Sequence, residues 1–134
     1  TEVSHGDVLF TVGEIPQRPK MYFQRSGEFQ YVSITGKVAQ VGEQMWLSEA
    51  VLWCHWMHRG QLTAATDSRM VMLEAKVFQE IASEFDHHDF DPKVYASEFV
   101  VHLNELQSTE ISDLPVSGDG ADYESLKRAS FLSF

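Results

Sequence analysis

Between residues 6 and 73 the chain runs in short apolar stretches divided by Gly6, Gly13, Gly27, Gly36 and Gly42, with β-branched and aromatic residues between the glycines. This is strand-and-turn spacing: branched and aromatic side chains suit a pleated surface, and glycine suits the turns. The pattern predicts strands at residues 8–12, 21–24, 29–34, 37–41, 61–65 and 69–73. In Phe29-Gln30-Tyr31-Val32-Ser33-Ile34 part of the run alternates, as a strand with one wet face does. The architecture that follows is mainly β with α, an antiparallel β-roll or jelly roll of about eight strands.

After Leu73 the period changes. Phe78, Ile81, Ala82 and Phe85 recur at three- and four-residue steps, which places them on one face of a helix. Asp91-Pro92 then supplies a cap followed by proline at a first helical position, and Tyr95, Phe99, Leu103 and Leu106 form the stripe of a second helix. From Gln107 the sequence is rich in Ser, Asp and Gly and lacks a period until Phe131-Leu132-Ser133-Phe134. The chain therefore divides into a domain over residues 1–106 and a flexible acidic tail over 107–134 with an apolar end.

At 134 residues and 43% hydrophobic content, one ordinary core is expected. A formal charge of −10 argues against nucleic acid polymers and anionic lipid as partners, since those need clustered Lys and Arg. The single cysteine, Cys54, excludes an internal disulfide and a multi-cysteine zinc site, which fits a reducing, cytoplasmic setting. The chain starts at Thr1 and carries no long apolar run, so it reads as a piece of a larger protein with no membrane span of its own.

Candidate chemistry concentrates in residues 42–66. Leu47-Ser48-Glu49 can open a helix with free backbone N–H groups, with the Glu49 carboxylate beside them. Arg59, the only formal cation in this window, follows after the short helical turn Ala50-Val51-Leu52-Trp53. Amides and a guanidinium suit an anion, and a carboxylate suits a ribose hydroxyl, so the set fits a sugar phosphate. The same spacing also serves a surface ion pair beside a structural helix.

The order of these pieces resembles the cyclic nucleotide-binding domain family. Gly6-Asp7-Val8-Leu9-Phe10 with Gly13-Glu14 is similar to that family's first strand and turn, and Met21-Tyr22-Phe23-Gln24-Arg25-Ser26-Gly27-Glu28 to its next strand and glycine turn. Leu47-Ser48-Glu49-Ala50-Val51-Leu52 resembles the start of its phosphate-binding cassette, Arg59 falls at the cassette arginine, and Thr63-Ala64-Ala65-Thr66-Asp67 continues the roll. The likeness runs from about Gly6 to Leu106. Trp53-Cys54-His55-Trp56-Met57-His58-Arg59-Gly60 further resembles cassettes of channel-like proteins of unicellular eukaryotes, which implies the cytosolic domain of a membrane protein.

The resemblance implies a β-roll with a short cassette helix and C-terminal helices, and a non-enzymatic sensor for cAMP or cGMP. Its nucleotide site would comprise Leu47, Ser48, Glu49, Ala50, Arg59, Gly60 and Gln61. Arg59 would hold the cyclic phosphate, Glu49 the ribose 2′-hydroxyl, and amides near Ser48, Ala50 and Gly60 would complete the cradle. The helix after Asp91 would be the lid, with Tyr95, Phe99 or Leu103 near the base. Three features depart from the family pattern: Ser48 stands at a glycine position, Gly60-Gln61 replaces a small pair, and Trp46, Trp53 and Trp56 add bulk. They imply an alternative, a homology domain that has lost its ligand and serves interaction or assembly. The tryptophans also read simply as packing of the cassette on the roll.

Elsewhere the signals are bland. His55 and His58, and the run Asp86-His87-His88-Asp89, lack a metal spacing and read as solvated loops, so no metal or other cofactor is expected. Cys54 lies in an apolar run without a base and reads as a buried, inert thiol. With no nucleophile–base set, no enzyme is expected. Lys127-Arg128-Ala129-Ser130 matches a basophilic kinase pattern and makes Ser130 a candidate phosphorylation site.

Overall fold

The alternation in residues 29–34 becomes a strand with Phe29 and Tyr31 inside and Gln30 outside. The computed structural model describes residues 1–42, 44–85 and 89–115. Eight strands form: β1 (Glu2–Val3), β2 (Val8–Phe10), β3 (Lys20–Ser26), β4 (Phe29–Ser33), β5 (Val38–Val41), β6 (Trp46–Leu47), β7 (Gly60–Ala64) and β8 (Ser68–Glu74). A 3₁₀ turn at Glu49–Leu52 separates β6 from β7, and two helices follow β8, α1 (Ala75–Ser83) and α2 (Pro92–Glu105).

The strands make two four-stranded sheets, ordered β1-β8-β3-β6 and β2-β7-β4-β5, and every pairing is antiparallel. Register explains the core. Phe29 pairs with Val41 on one side and Ala64 on the other, and Tyr31 pairs with Leu62, so side chains of one parity from β4, β5 and β7 share the inner face. The other sheet answers with Tyr22, Leu47 and Met70, and Val3 and Phe10 close the cluster. Each such large apolar side chain contributes about 1.5–3 kcal/mol when fully buried.

The opposite parity of β3 is buried as well. Met21 and Phe23 meet Leu73 and Trp46 on the outer face, where Val51 and Leu52 of the 3₁₀ turn and Ala75 and Phe78 of α1 cover them. A third cluster sets Tyr95 and Phe99 of α2 on Ala50. This helix begins as its sequence dictates, with the Asp91 carboxylate accepting from the Lys93 amide at 2.9 Å and Pro92 filling the first turn. The cassette turn is thus clamped between a sheet and two helices.

Differences from the sequence reading are local. The two-residue strands β1 and β6 carry no period, so the hydrophobic pattern does not predict them. Val12 and Ile34 fall outside β2 and β4 and are exposed. Helix α1 ends at Ser83, so Phe85 lies beyond it, and Ile81 is 65% exposed. Of the predicted stripe, Phe78 is the residue that packs edge-on against Trp53, with ring centroids 5.3 Å apart, because this short helix meets the cassette along one edge.

Candidate functional site

Leu47 ends β6 and the turn after it carries Ser48, Glu49 and Ala50, while Arg59 immediately precedes Gly60 and Gln61 at the start of β7. Leu47 is fully buried in β6 opposite Tyr22, and Ala50 is buried beneath Tyr95 and Phe99. Between them Ser48 takes φ 64° and ψ 31°, the left-handed conformation in which glycine is usual. A glycine-type backbone is therefore retained with a serine side chain on it. The Ser48 hydroxyl is buried and has no hydrogen-bond partner among the described residues.

Glu49 is only 9% exposed, and its carboxylate is occupied from within. Its Oε2 accepts from the Tyr95 hydroxyl at 2.5 Å and from the Trp53 indole N–H at 2.9 Å. Burial pushes the Glu49 carboxyl above its ordinary range, and hydrogen bonds from Tyr95, Trp53 and Trp46 oppose that shift. The Tyr95 hydroxyl is pushed up as well, first by burial and then by the neighbouring Glu49 charge.

At the other end of the window the Arg59 guanidinium donates to the Ser108 carbonyl, and its Nε is buried without a partner among the described residues. No ion pair joins Arg59 to Glu49 among the described residues. Gly60 opens β7 opposite Ser33, where a Cβ would stand 2.4 Å from Tyr31 Cζ and 2.5 Å from the Val32 carbonyl oxygen. Here glycine lets the Tyr31 ring approach the backbone. Gln61 points outward on the exposed side of β7, with its amide 3.4 Å from the Thr63 hydroxyl.

What occupies the space between Ser48 and Arg59 is Asp113. Its side chain is completely buried. Oδ1 accepts from the Trp56 indole at 2.6 Å and lies 2.9 Å from His58 Nδ1, while Oδ2 accepts from the Tyr31 hydroxyl and the Arg59 amide, each at 2.8 Å. The Asp113 carbonyl accepts from the Ser48 amide at 2.7 Å, and its own amide donates to the Tyr31 hydroxyl at 3.2 Å. Donors from β4, the cassette and the edge of β7 converge on one carboxylate, which is the chemistry of an anion site. Tyr31 is pushed well up, by burial first and then by the Asp113 charge. His58 completes the seat by stacking on Phe10 at 3.9 Å.

The sequence does not mark Asp113 or Tyr31 as site residues, and it marks Trp56 only as bulk or packing, not as a donor to Asp113. The sequence predicts a solvated loop for His55 and His58; His55 is exposed, but His58 is buried because its ring is enclosed by Phe10 and Asp113. The available signal was Ile111-Ser112-Asp113-Leu114-Pro115, apolar residues around an acid in an otherwise polar stretch. Leu114 packs on the main core and anchors the segment there. Residues 116–134, including Lys127, Arg128, Ser130 and Phe131, lie outside the described residues, as do His87 and His88.

Of the three residues proposed near a base, Phe99 and Leu103 line a residual cavity with Ser48, Glu49 and Asp113, while Tyr95 bonds Glu49. This cavity is about 30 Å³, room for one or two waters and not for a nucleotide. Trp53 and Trp56 both pack and donate, so neither is merely filler. Cys54 is half-buried, its Sγ donates to the Ala50 carbonyl at 3.3 Å, and burial pushes the thiol up. Among the described residues no group of three or more His, Cys, Asp or Glu is placed to hold a metal ion, and no helix is long and apolar enough to cross a membrane.

No protein-family model and no curated protein sequence matches the chain. Solved structures match it by fold. The sensor domain of the transcriptional regulator DNR from Pseudomonas aeruginosa superposes with a TM-score of 0.59 at 16% identity, over 80% of this chain and 74% of that one. A cyclic nucleotide-binding-like protein from Brucella abortus matches at TM-score 0.54 and 19% identity, over 63% of this chain and 74% of that one. The cAMP-bound form of the EAL enzyme Bd1971 matches at TM-score 0.59 and 18% identity, over 78% of this chain. This chain corresponds to only 27% of that enzyme's length. At these identities the likeness establishes the fold: two antiparallel sheets and flanking helices in the cyclic nucleotide-binding β-roll, as the sequence resemblance implies.

Proposed function

We propose that this chain is a regulatory sensor module that takes a cyclic nucleotide at the cassette and reports its occupancy through α2. The observation that carries this reading is the 2.5 Å hydrogen bond from Tyr95 of α2 to the Glu49 carboxylate. A ribose hydroxyl donating to Glu49 competes with the Tyr95 hydroxyl for the same acceptor, so ligand binding and the seating of α2 share one group. Occupancy shifts the helix by as much as the ligand's affinities for the two arrangements differ.

The left-handed Ser48, the buried Arg59 Nε with no partner among the described residues, and the donors around Asp113 support an anion at this end of the pocket. The EAL enzyme was solved with cAMP and with cGMP, which supports that ligand class for the fold. In the setting implied by the resemblance to channel-like proteins, movement of α2 biases a pore from the cytosolic side. Hydrogen exchange of the full chain with and without saturating cAMP or cGMP tests the reading. Faster exchange of α2 amides around Tyr95 is expected, and unchanged exchange at saturation refutes it.

A second reading, an interaction or assembly module without a ligand, is favoured by the internal occupation of both recognition groups, Glu49 by Tyr95 and Trp53 and the Arg59 amide by Asp113. It predicts no nucleotide binding under any condition.

A further inference from the structure

We propose that Asp113 is the internal occupant of the anion cradle, and that residues 108–115 form a built-in competitor which an anionic ligand must displace before the pocket can open. This rests on the sensor reading for the identity of the competing ligand, but the occupancy itself stands on the geometry of this chain alone.

Contacts at three places make the segment a fitted occupant. Its carboxylate receives the Trp56 indole, the Tyr31 hydroxyl and the Arg59 amide within 2.6–2.8 Å and faces His58 at 2.9 Å. Its backbone carbonyl receives the Ser48 amide at 2.7 Å, at the turn where the backbone is left-handed. Upstream, the Ser108 carbonyl holds the Arg59 guanidinium, so the residue expected to grip a phosphate is engaged by the same segment through both its amide and its side chain.

Chemistry also makes the occupant replaceable. A carboxylate and a phosphodiester each offer two acceptor oxygens and a negative charge to N–H and O–H donors, so one can stand in for the other. The carboxylate leaves the cradle incompletely satisfied, since the Ser48 hydroxyl and Arg59 Nε remain buried without partners among the described residues. Besides its two charged oxygens a phosphodiester carries two ester oxygens, which offer further, weaker acceptors to those atoms. The small cavity beside Glu49 is bounded by Ser112, Asp113, Leu114 and Pro115, so withdrawal of the segment enlarges it. Apparent affinity for nucleotide is then the open-state affinity reduced by the fraction of molecules in which the segment has left.

The test compares the full chain with D113N, which sets amide hydrogens against donors, and with L114A, which loosens the anchor while leaving the carboxylate intact. Circular dichroism reports whether each variant keeps the fold; L114A serves if D113N does not. Hydrogen exchange is read at residues 108–115 and at the Ser48 and Arg59 amides, and cAMP affinity by calorimetry. Faster exchange at all three places together with tenfold or tighter cAMP binding is the expected result. Unchanged exchange in a folded variant overturns the proposal. Faster exchange with unaltered affinity also overturns it, because nucleotide then binds without competing, and the sensor reading survives. Faster exchange with no cAMP binding to any of the proteins upholds Asp113 as the occupant and removes the sensor reading instead.

Discussion

Tyr95 donates its hydroxyl hydrogen to Glu49 at 2.5 Å, which ties α2 to the cassette through a carboxylate that has almost no contact with water. A buried carboxylate depends on such donors, because losing one leaves an acceptor desolvated without return. Tyr95→Phe is expected to lower stability by about 1.5–3 kcal/mol at neutral pH, the range for a hydrogen bond to a charged group. Chemical denaturation of the two proteins checks it, and equal midpoints would contradict the role given to this bond.

The same residue sets a pH dependence. Burial raises the Glu49 carboxyl in the folded chain above its ordinary value of 4.5, so over the interval above 4.5 the folded state holds more protons than the unfolded one. Stability from this group therefore falls as pH rises through that interval and is recovered on acidification. Glu49→Gln removes the titration. Its melting temperature, measured against that of the wild type at steps from pH 4 to pH 7, is expected to gain most at the neutral end; a gain independent of pH would show that Glu49 does not titrate in this way.

Ser48 occupies a backbone conformation that costs a non-glycine residue on the order of 1–2 kcal/mol, partly offset by the greater freedom of an unfolded glycine. Ser48→Gly also removes the buried hydroxyl that lacks a partner. A net stabilisation of about 1 kcal/mol is expected, seen as a rise of a few degrees in melting temperature. A fall would mean that the hydroxyl has an essential contact.

Gly60→Ala is expected to act in the opposite direction. Its Cβ would meet Tyr31 and the Val32 carbonyl, with 2.4 Å as the nearest approach. Overpacking of this kind costs about 1–3 kcal/mol. Displacing Tyr31 also takes a donor from Asp113, so hydrogen exchange at residues 108–115 should quicken along with the loss of stability. A destabilised variant with that segment still protected would separate Tyr31 from the seating of Asp113.

The roll was legible because strands with one buried face write a period of two into the chain: Phe29, Tyr31, Leu62 and Ala64 are buried in register with polar neighbours between them. Strands β1 and β6 were not, since two residues carry no period. Glu49 and Arg59 were legible as a pair by resemblance, yet the acid that meets the Arg59 amide is Asp113, 54 residues further on. One acid in a Ser- and Asp-rich stretch has no local pattern to distinguish it; only the closure of the chain onto Tyr31, Trp56 and His58 gives it a role. Trp56 shows the same limit, because its indole N–H partner, Asp113, lies 57 residues further on, whereas Trp53 reaches Glu49 only four residues back.

Calorimetric titration of the full chain with cAMP and cGMP, beside Arg59→Ala, tests the sensor reading most directly. A saturable heat is expected for at least one nucleotide, with Arg59→Ala weakening it by about 1.5–3 kcal/mol, the range for a charged hydrogen-bonding partner. No heat at millimolar nucleotide, with no shift in melting temperature, would contradict it.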